Sequence, residues 1–450
     1  MQLSRRRLLR SLVAGSTLMP AILSDALAAE NDPLAPRAPH FPGKARRVIF
    51  LYLTGGVSHV DTFDPKPAIA AAARAQKKPG PKGSRYLPTI WDTKRYGRSG
   101  LEVTDLFRHT AEMADDLCVI RSLHGDHNDH FQAAMGIHTG SVTVKRPSIG
   151  SWVSYGLGTT NRNLPSFVVL APYLPYAGSQ VWSSDFLPGA HQGTRVTGGP
   201  EPVSDLVRRA PTSKLQEAEL DFLARFNRRH LGERPGDPAL AARIQSFETA
   251  FGMQSEMPEV FDFSRETTAT LNLYGLERGQ NTGFAWQCLV ARRLAERGVR
   301  FIELIDTGSN KNWDVHSDIK GMDGLAANVD KPIAGLLRDL KSRGMLEDTL
   351  VVWTTEFGRS PWNETGNGRS HHNKVFTSWL AGGGVKGGMV YGSSDEFGAA
   401  PAENPVHVHD FHATILHCLG FDHLKLTFRH AGRDFRLTDI HGNVVKPVLA

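Results

Sequence analysis

Four segments of the chain gather histidine with carboxylate at short spacing, the donor set of a site that holds a divalent ion through nitrogen and oxygen. In Gly55-Gly56-Val57-Ser58-His59-Val60-Asp61 a glycine turn leaves imidazole and carboxylate within reach of one ion; equally, the aspartates there can cap a turn while His59 sits at the surface. The second segment, His124-Gly125-Asp126-His127-Asn128-Asp129-His130, repeats histidine every third residue and runs into a helical pattern that ends at Thr139-Gly140. The third is Trp313-Asp314-Val315-His316, and the fourth runs from Thr355-Glu356-Phe357-Gly358-Arg359 to Gly368-Arg369-Ser370-His371-His372. A divalent ion held by such groups activates water or polarises an ester oxygen. The later histidines, from His407 to His441, read as supporting structure around a helix capped by Asp410 and ended by Gly420. Cys118, Cys288 and Cys418 lie far apart with no C-x-x-C pair, so neither a disulfide framework nor a thiolate zinc site is indicated.

The elements that would position these segments are apolar, β-branched runs at 48–53, 117–120, 166–170, 299–305, 349–354 and 375–380. Several are continuous rather than alternating, as strands buried on both faces are. Helical patterns lie between them, at about 105–115, 130–140, 147–157, 283–297, 325–343 and 410–419. Strands interleaved with helices predict an α/β fold with a largely parallel sheet covered on both faces. In such sheets sites form at the carboxyl ends of strands, where the segments at 54–61, 306–316 and 356–359 fall. Residues from about 205 to 280 lack a strand signal and read as a helical insertion.

The chain has 450 residues, 40% of them apolar and 22% charged, which excludes a disordered or collagen-like protein. Residues 1–28, with Ser4-Arg5-Arg6-Arg7-Leu8-Leu9, an apolar stretch and Ala26-Leu27-Ala28, predict a twin-arginine export signal, hence a periplasmic or extracellular protein handled by that export machinery. Residues 29–45 read as an extended, proline-rich leader and 46–450 as the folded domain. No run in the mature chain reaches the ~18 apolar residues of a spanning helix. Residues 64–100 hold nine Lys or Arg against Asp64 and Asp92, a net charge of +7. That segment reads either as a solvated loop or as one that attracts an anionic substrate or surface. Nucleic acid is disfavoured, because few aromatics accompany the charge and no binding module is present.

The order of these motifs resembles exported twin-arginine-signal proteins of uncharacterised function within the alkaline phosphatase and sulfatase superfamily. The resemblance spans nearly the whole chain and rests on Leu53 to Lys66, Asp129-His130-Phe131 to Gly140, Trp313 to His316, Thr355 to Arg359, Gly368 to His372, and Gly432 to Asp439. It implies an alkaline-phosphatase-like sandwich and a metal-dependent hydrolase of phosphate or sulfate esters, with zinc or manganese as the expected ion and calcium or iron left open. Its substrate would be an anionic small molecule or polymer. The residues it nominates as ligands are His59, Asp61, Asp314, His316, Glu356, His371 and His372, with Arg359 holding an anionic oxygen. The position at which that superfamily carries its nucleophile holds His130, so His130 is expected to act as nucleophile or as a further ligand. Cys288-Leu289-Val290-Ala291-Arg292 matches only the ends of the formylglycine motif C-x-P-x-R, which disfavours ordinary sulfatase chemistry. The alternative is a non-catalytic relative that binds an anionic ligand or a cell-envelope polymer.

Overall fold

The computed structural model describes residues 32–450 apart from 205, 209 and 235–237; the expected export signal lies outside the described residues. The six apolar runs form strands of one nine-stranded sheet, which three short strands outside those runs complete. These are β1 (Arg47–Tyr52), β4 (Leu117–His124), β5 (Phe167–Leu170), β6 (Thr194–Val196), β7 (Phe301–Ile305), β8 (Thr349–Thr354), β11 (Phe376–Ala381), β12 (Met389–Tyr391) and β15 (Val406–His407). β2 (Thr93–Tyr96) and β3 (Leu101–Thr104) form a separate antiparallel hairpin, as do β9 (Gly358–Asn363) and β10 (Arg369–His372), and β13 (Ser393–Ser394) pairs antiparallel with β14 (Pro401–Glu403). The order is β12-β4-β11-β8-β1-β7-β5-β6, with β15 also on β4. Every pairing is parallel except those of β11, which runs antiparallel between β4 and β8.

The central strands are buried on both faces because side chains alternate across a strand and both sides carry helices. Ile49 and Leu51 of β1 join one core with Ile302, Leu304, Val351 and Trp353. Helices α8 (Phe284–Glu296) and α9 (Met322–Ser342) cover that face. Val48, Phe50 and Tyr52 join a second core with Phe301, Ile305, Leu350 and Val352. There α3 (His130–Thr139), α4 (Ile149–Leu157) and α10 (Val408–Cys418) close the layer. Three smaller helical segments are α1 (Pro67–Arg74), α2 (Arg108–Ala111) and α7 (Thr268–Tyr274). The strandless stretch holds α5 (Ser213–Glu233) and α6 (Pro238–Phe261). No helix among the described residues is long and apolar enough to cross a membrane.

The carboxyl ends of β1 and β7 meet at a buried carboxylate. Asp306, just past β7, accepts from Thr54 N beyond β1 at 3.1 Å and from the Trp313 indole at 2.7 Å. Burial pushes its pKa up to about 6, against the pull of those hydrogen bonds. Gly55, at φ 104°, continues the turn; a Cβ there would lie 2.6 Å from Asp314 N. Glycine is required because the chain after β1 runs directly against the loop that carries Asp314.

Candidate metal centre

At this edge four side chains converge on one oxygen, Asp314 Oδ1. His316 Nε2 lies 2.6 Å from it, His371 Nε2 3.1 Å and His130 Nε2 3.2 Å, and the Arg359 guanidinium also contacts it. His130 opens α3, whose N-terminus is capped by Asp129 accepting from Phe131 N at 3.0 Å. His371 comes from β10, opposite Arg359 in the β9–β10 hairpin. His316 is packed against the same hairpin: a Cβ at Gly368 would overlap the His316 backbone at 1.9 Å.

Each imidazole is held from behind through Nδ1. His130 Nδ1 donates to Glu356 Oε1 at 2.8 Å, His371 Nδ1 to the Asn128 carbonyl at 2.7 Å, and His316 Nδ1 to the Glu364 carboxylate. These acceptors place the proton on Nδ1 and leave the Nε2 lone pair of each neutral ring facing inward, the arrangement of histidines that bind metal. Lone pairs aimed at one another and at a carboxylate oxygen repel unless a cation lies between them. His316 Nε2 and His371 Nε2 are 3.0 Å apart. That is close to the edge of about 3.3 Å expected of a tetrahedral zinc site with Zn–N bonds of about 2.0–2.1 Å. Buried His130 Nε2 lies 3.2 Å from Asp314 Oδ1 and has no other polar partner. His130, Asp314 and His371 each offer one atom to a group within 4.8 Å, and His316 adjoins that group through Asp314 and His371, so donor type and spacing fit a divalent ion.

The electrostatics of the cluster follow from this crowding. Burial opposes charging His130, but its hydrogen bonds to Asp314 and Glu356 and their charges outweigh burial and raise its pKa to about 9. Burial likewise opposes ionisation of Asp314, and His130, His371 and Arg359 overcome it and hold the carboxyl far below the usual range.

The remaining expected residues have other tasks. Glu356 is fully buried, with Oε1 accepting from Gly55 N at 2.7 Å and Oε2 from Tyr52 OH and Thr355 Oγ1, each at 3.1 Å. It fixes His130 from behind and has no oxygen turned toward the other imidazoles. Arg359 is also buried, with donors committed to Gly55 O, to Gly56 O at 2.9 Å, to Arg369 O at 3.2 Å and to Asp314. Its guanidinium therefore orders the loops instead of meeting a substrate oxygen. Asp61 does not reach the cluster, because it forms a buried pair with Arg369 at 2.6 and 2.9 Å. His59 and His372 lie apart from it too: His59 Nε2 bonds Gly398 O at 2.9 Å and His372 Nε2 bonds Ala399 O at 2.8 Å, with the rings stacked 6.4 Å apart. Burial lowers the His59 pKa to about 4, which keeps it neutral.

Two site residues were not anticipated from the sequence. Tyr176 stacks on His130 with ring centroids 3.9 Å apart and accepts from Asn312 Nδ2 at 3.1 Å. Glu364, near the tip of the β9–β10 hairpin, orients His316. Tyr176 lies on the loop after β5, at the same carboxyl edge, and that position was its one signal. A second group, Asp126, His407 and His409, lies across α3 among the histidines read as supporting structure. Its His407 Nδ1 accepts from His409 N at 3.2 Å while Nε2 faces Asp126 at 3.0 Å, which makes His407 a helix cap with an ordinary acidic partner.

The sheet and the strand-end cluster define an α/β protein with a histidine–carboxylate centre suited to a metal ion. The chain belongs to the family described as "Protein of unknown function (DUF1501)", which spans residues 45–449. No curated protein matches it. Among solved structures, it is similar to the PsFucS1 sulfatase from Pseudoalteromonas sp. at 13% identity and TM-score 0.36, over 90% of this chain and 71% of that one. It is similar to the phosphonate monoester hydrolase SpPMH from Silicibacter pomeroyi at 12% identity and TM-score 0.37, over 90% and 76% of the two chains. A TAB5 alkaline phosphatase variant with Mg bound shares 10% identity at TM-score 0.37, over 84% of this chain and 99% of that one. Likenesses this distant contribute nothing to the reading of the site, which rests on its side chains.

Proposed function

We propose that the protein is a metal-dependent hydrolase of phosphate or sulfate esters, with His130, Asp314 and His371 as the ligands and His316 adjoining them. The observation that carries this reading is the common orientation of the three imidazoles: an oxygen acceptor on each Nδ1 and Nε2 turned toward one carboxylate oxygen. Imidazole-rich donors favour zinc, manganese or iron over calcium, which prefers oxygen. When bound, a metal here supplies Lewis acidity and lowers the pKa of an attacking water. His130 serves as a ligand and not as the nucleophile, since its Nε2 is buried and faces Asp314. Glu356, Asn128 and Glu364 keep the imidazoles in the required tautomer. Tyr176 accepts from Asn312, so its own hydroxyl proton is free to be given to a leaving oxygen. The Arg5-Arg6-Arg7 start supports action outside the cytoplasm, reached through the twin-arginine machinery.

A non-catalytic role in binding an anionic ligand is favoured by one observation: the start of α3, where the resemblance places a nucleophile, presents an imidazole already committed to Glu356 and Asp314. Purified protein loaded in turn with Zn, Mn and Fe and offered phosphomonoesters, phosphodiesters and sulfate esters separates the two readings. Turnover lost in Asp314→Asn and His371→Ala supports the hydrolase. Stoichiometric metal without turnover in any loaded form contradicts it and leaves the binding role.

A further inference from the structure

The net charge of 64–100 is resolved unevenly by the fold. Lys66 pairs with Asp64, Lys94 with Asp105, Arg95 with Glu102 and Arg98 with Asp115. Arg74, Lys77, Lys78, Lys82 and Arg85 have no ion-pair partner among the described residues. The cations nearer the carboxyl end of the segment are thus neutralised locally, and those from 74 to 85 are left to face solvent together.

This free charge borders a concave surface. Lys78, Lys82 and Arg85 line a cleft of about 700 Å³ whose other walls include Trp362, Asn363 and Glu364. The loop is docked along β9, with Arg85 N donating to Asn363 Oδ1 at 2.8 Å, Asn363 N to Arg85 O at 2.9 Å and Leu87 N to Pro361 O at 3.0 Å. The hairpin that carries His371 into the candidate metal centre therefore also forms a wall of the cleft. Glu364 is the only acidic residue in the lining, and its carboxylate is already engaged by His316.

We infer that this cleft binds an acidic polysaccharide chain, with Lys78, Lys82 and Arg85 meeting its sulfate or carboxylate groups. The rest of the lining matches that chemistry: Ser84, Asn363, Thr365 and Ser370 offer neutral hydrogen-bonding groups of the kind that recognise sugar hydroxyls. A lipid surface fits poorly, because the wall is concave and carries no exposed aliphatic residue to insert. Single-stranded nucleic acid calls for a row of stacking platforms, and the cleft has one indole, against which Gly80 packs. The inference does not depend on hydrolysis, and it holds whether or not the neighbouring centre is catalytic.

The test is binding of the full protein, metal-loaded and chelator-treated, to heparin and polygalacturonate, with neutral dextran, single-stranded DNA and phosphatidylglycerol vesicles alongside. Three cations on a single flexible polyanion predict roughly a 20-fold loss of affinity between about 50 and 200 mM salt. Lys78→Glu/Lys82→Glu/Arg85→Glu is expected to lose heparin or polygalacturonate binding by at least about tenfold. The equally charged Lys214→Glu/Arg225→Glu/Arg228→Glu should bind as wild type. Unchanged melting temperatures and single-site reversals, each lowering affinity in part, guard against misfolding. No binding to either acidic polysaccharide, equal loss in the α5 variant, or tighter binding to DNA or vesicles would overturn the inference.

Discussion

Glu356→Gln isolates the contribution of one buried charge to the metal centre. The substitution preserves shape, and its amide oxygen can still accept from Gly55 N and His130 Nδ1, which lie 2.7 and 2.8 Å from the present Oε1. Its amide NH₂ replaces Oε2, and the Tyr52 and Thr355 hydroxyls 3.1 Å away can rotate to accept from it. What disappears is the negative charge behind His130. Two effects follow with definite signs. The His130 pKa, raised to about 9 partly by Glu356, falls toward the ordinary histidine range. The imidazole also becomes a weaker donor to metal, by about 10–100-fold in affinity, or about 1.4–2.8 kcal/mol. Competition with a chromophoric chelator gives the affinity, and histidine NMR of the metal-free protein gives the pKa. Affinity within twofold of wild type, with an unmoved His130, would refute the reasoning that Glu356 acts through this imidazole.

Acid should unfold the protein steeply. Burial holds His59 at about 4 and His191 and His412 at about 3, so the unfolded chain, with histidines near 6.5, takes up these protons first. Stability then falls as pH drops below about 6.5, by up to about 4 kcal/mol per pH unit for the three together, and denaturant midpoints at pH 7, 6 and 5 measure it. His130 has the opposite sign: its raised pKa stabilises the metal-free fold fully below about 6.5, and that support is lost as pH rises through about 9. Asp61→Asn should cost about 3 kcal/mol or more, because it leaves Arg369 buried without its counter-charge; a loss under 1 kcal/mol in denaturant melts would contradict the pairing. Tyr176→Phe should retain metal while slowing hydrolysis of alkyl esters roughly 10²-fold. Nitrophenyl esters, whose leaving group needs no proton, should be spared, and equal losses on both would exclude Tyr176 as the proton donor.

The sheet was legible because its strands are uninterrupted apolar runs such as Val48 to Tyr52, which only burial on both faces explains. The single antiparallel strand was not, since nothing in Phe376 to Ala381 encodes direction. Asp314, His316, His371 and His130 were all nominated from residue type and position at strand ends. His59, Asp61 and His372 were nominated by the same rule and lie elsewhere. Residue type cannot distinguish an aspartate facing an ion from one facing Arg369, a partner more than 300 positions away. Tyr176 and Glu364 escaped notice because a lone hydroxyl or carboxylate in a loop has no periodicity to betray it. The basic segment was legible as charge, but which of its cations are free depended on where Asp105, Glu102 and Asp115 fall in space.

His130, Asp314 and His371, with His316 beside them, are proposed to hold a metal ion. The most direct measurement is metal analysis of protein dialysed against excess zinc or manganese and then freed of unbound ion, for wild type, Asp314→Asn, His371→Ala and, as a folded reference, His407→Ala. One ion per chain is expected in wild type and His407→Ala, and its loss from the other two without loss of fold. Stoichiometric metal in Asp314→Asn and His371→Ala, or none in folded wild type at any pH from about 6 to 9, would contradict it.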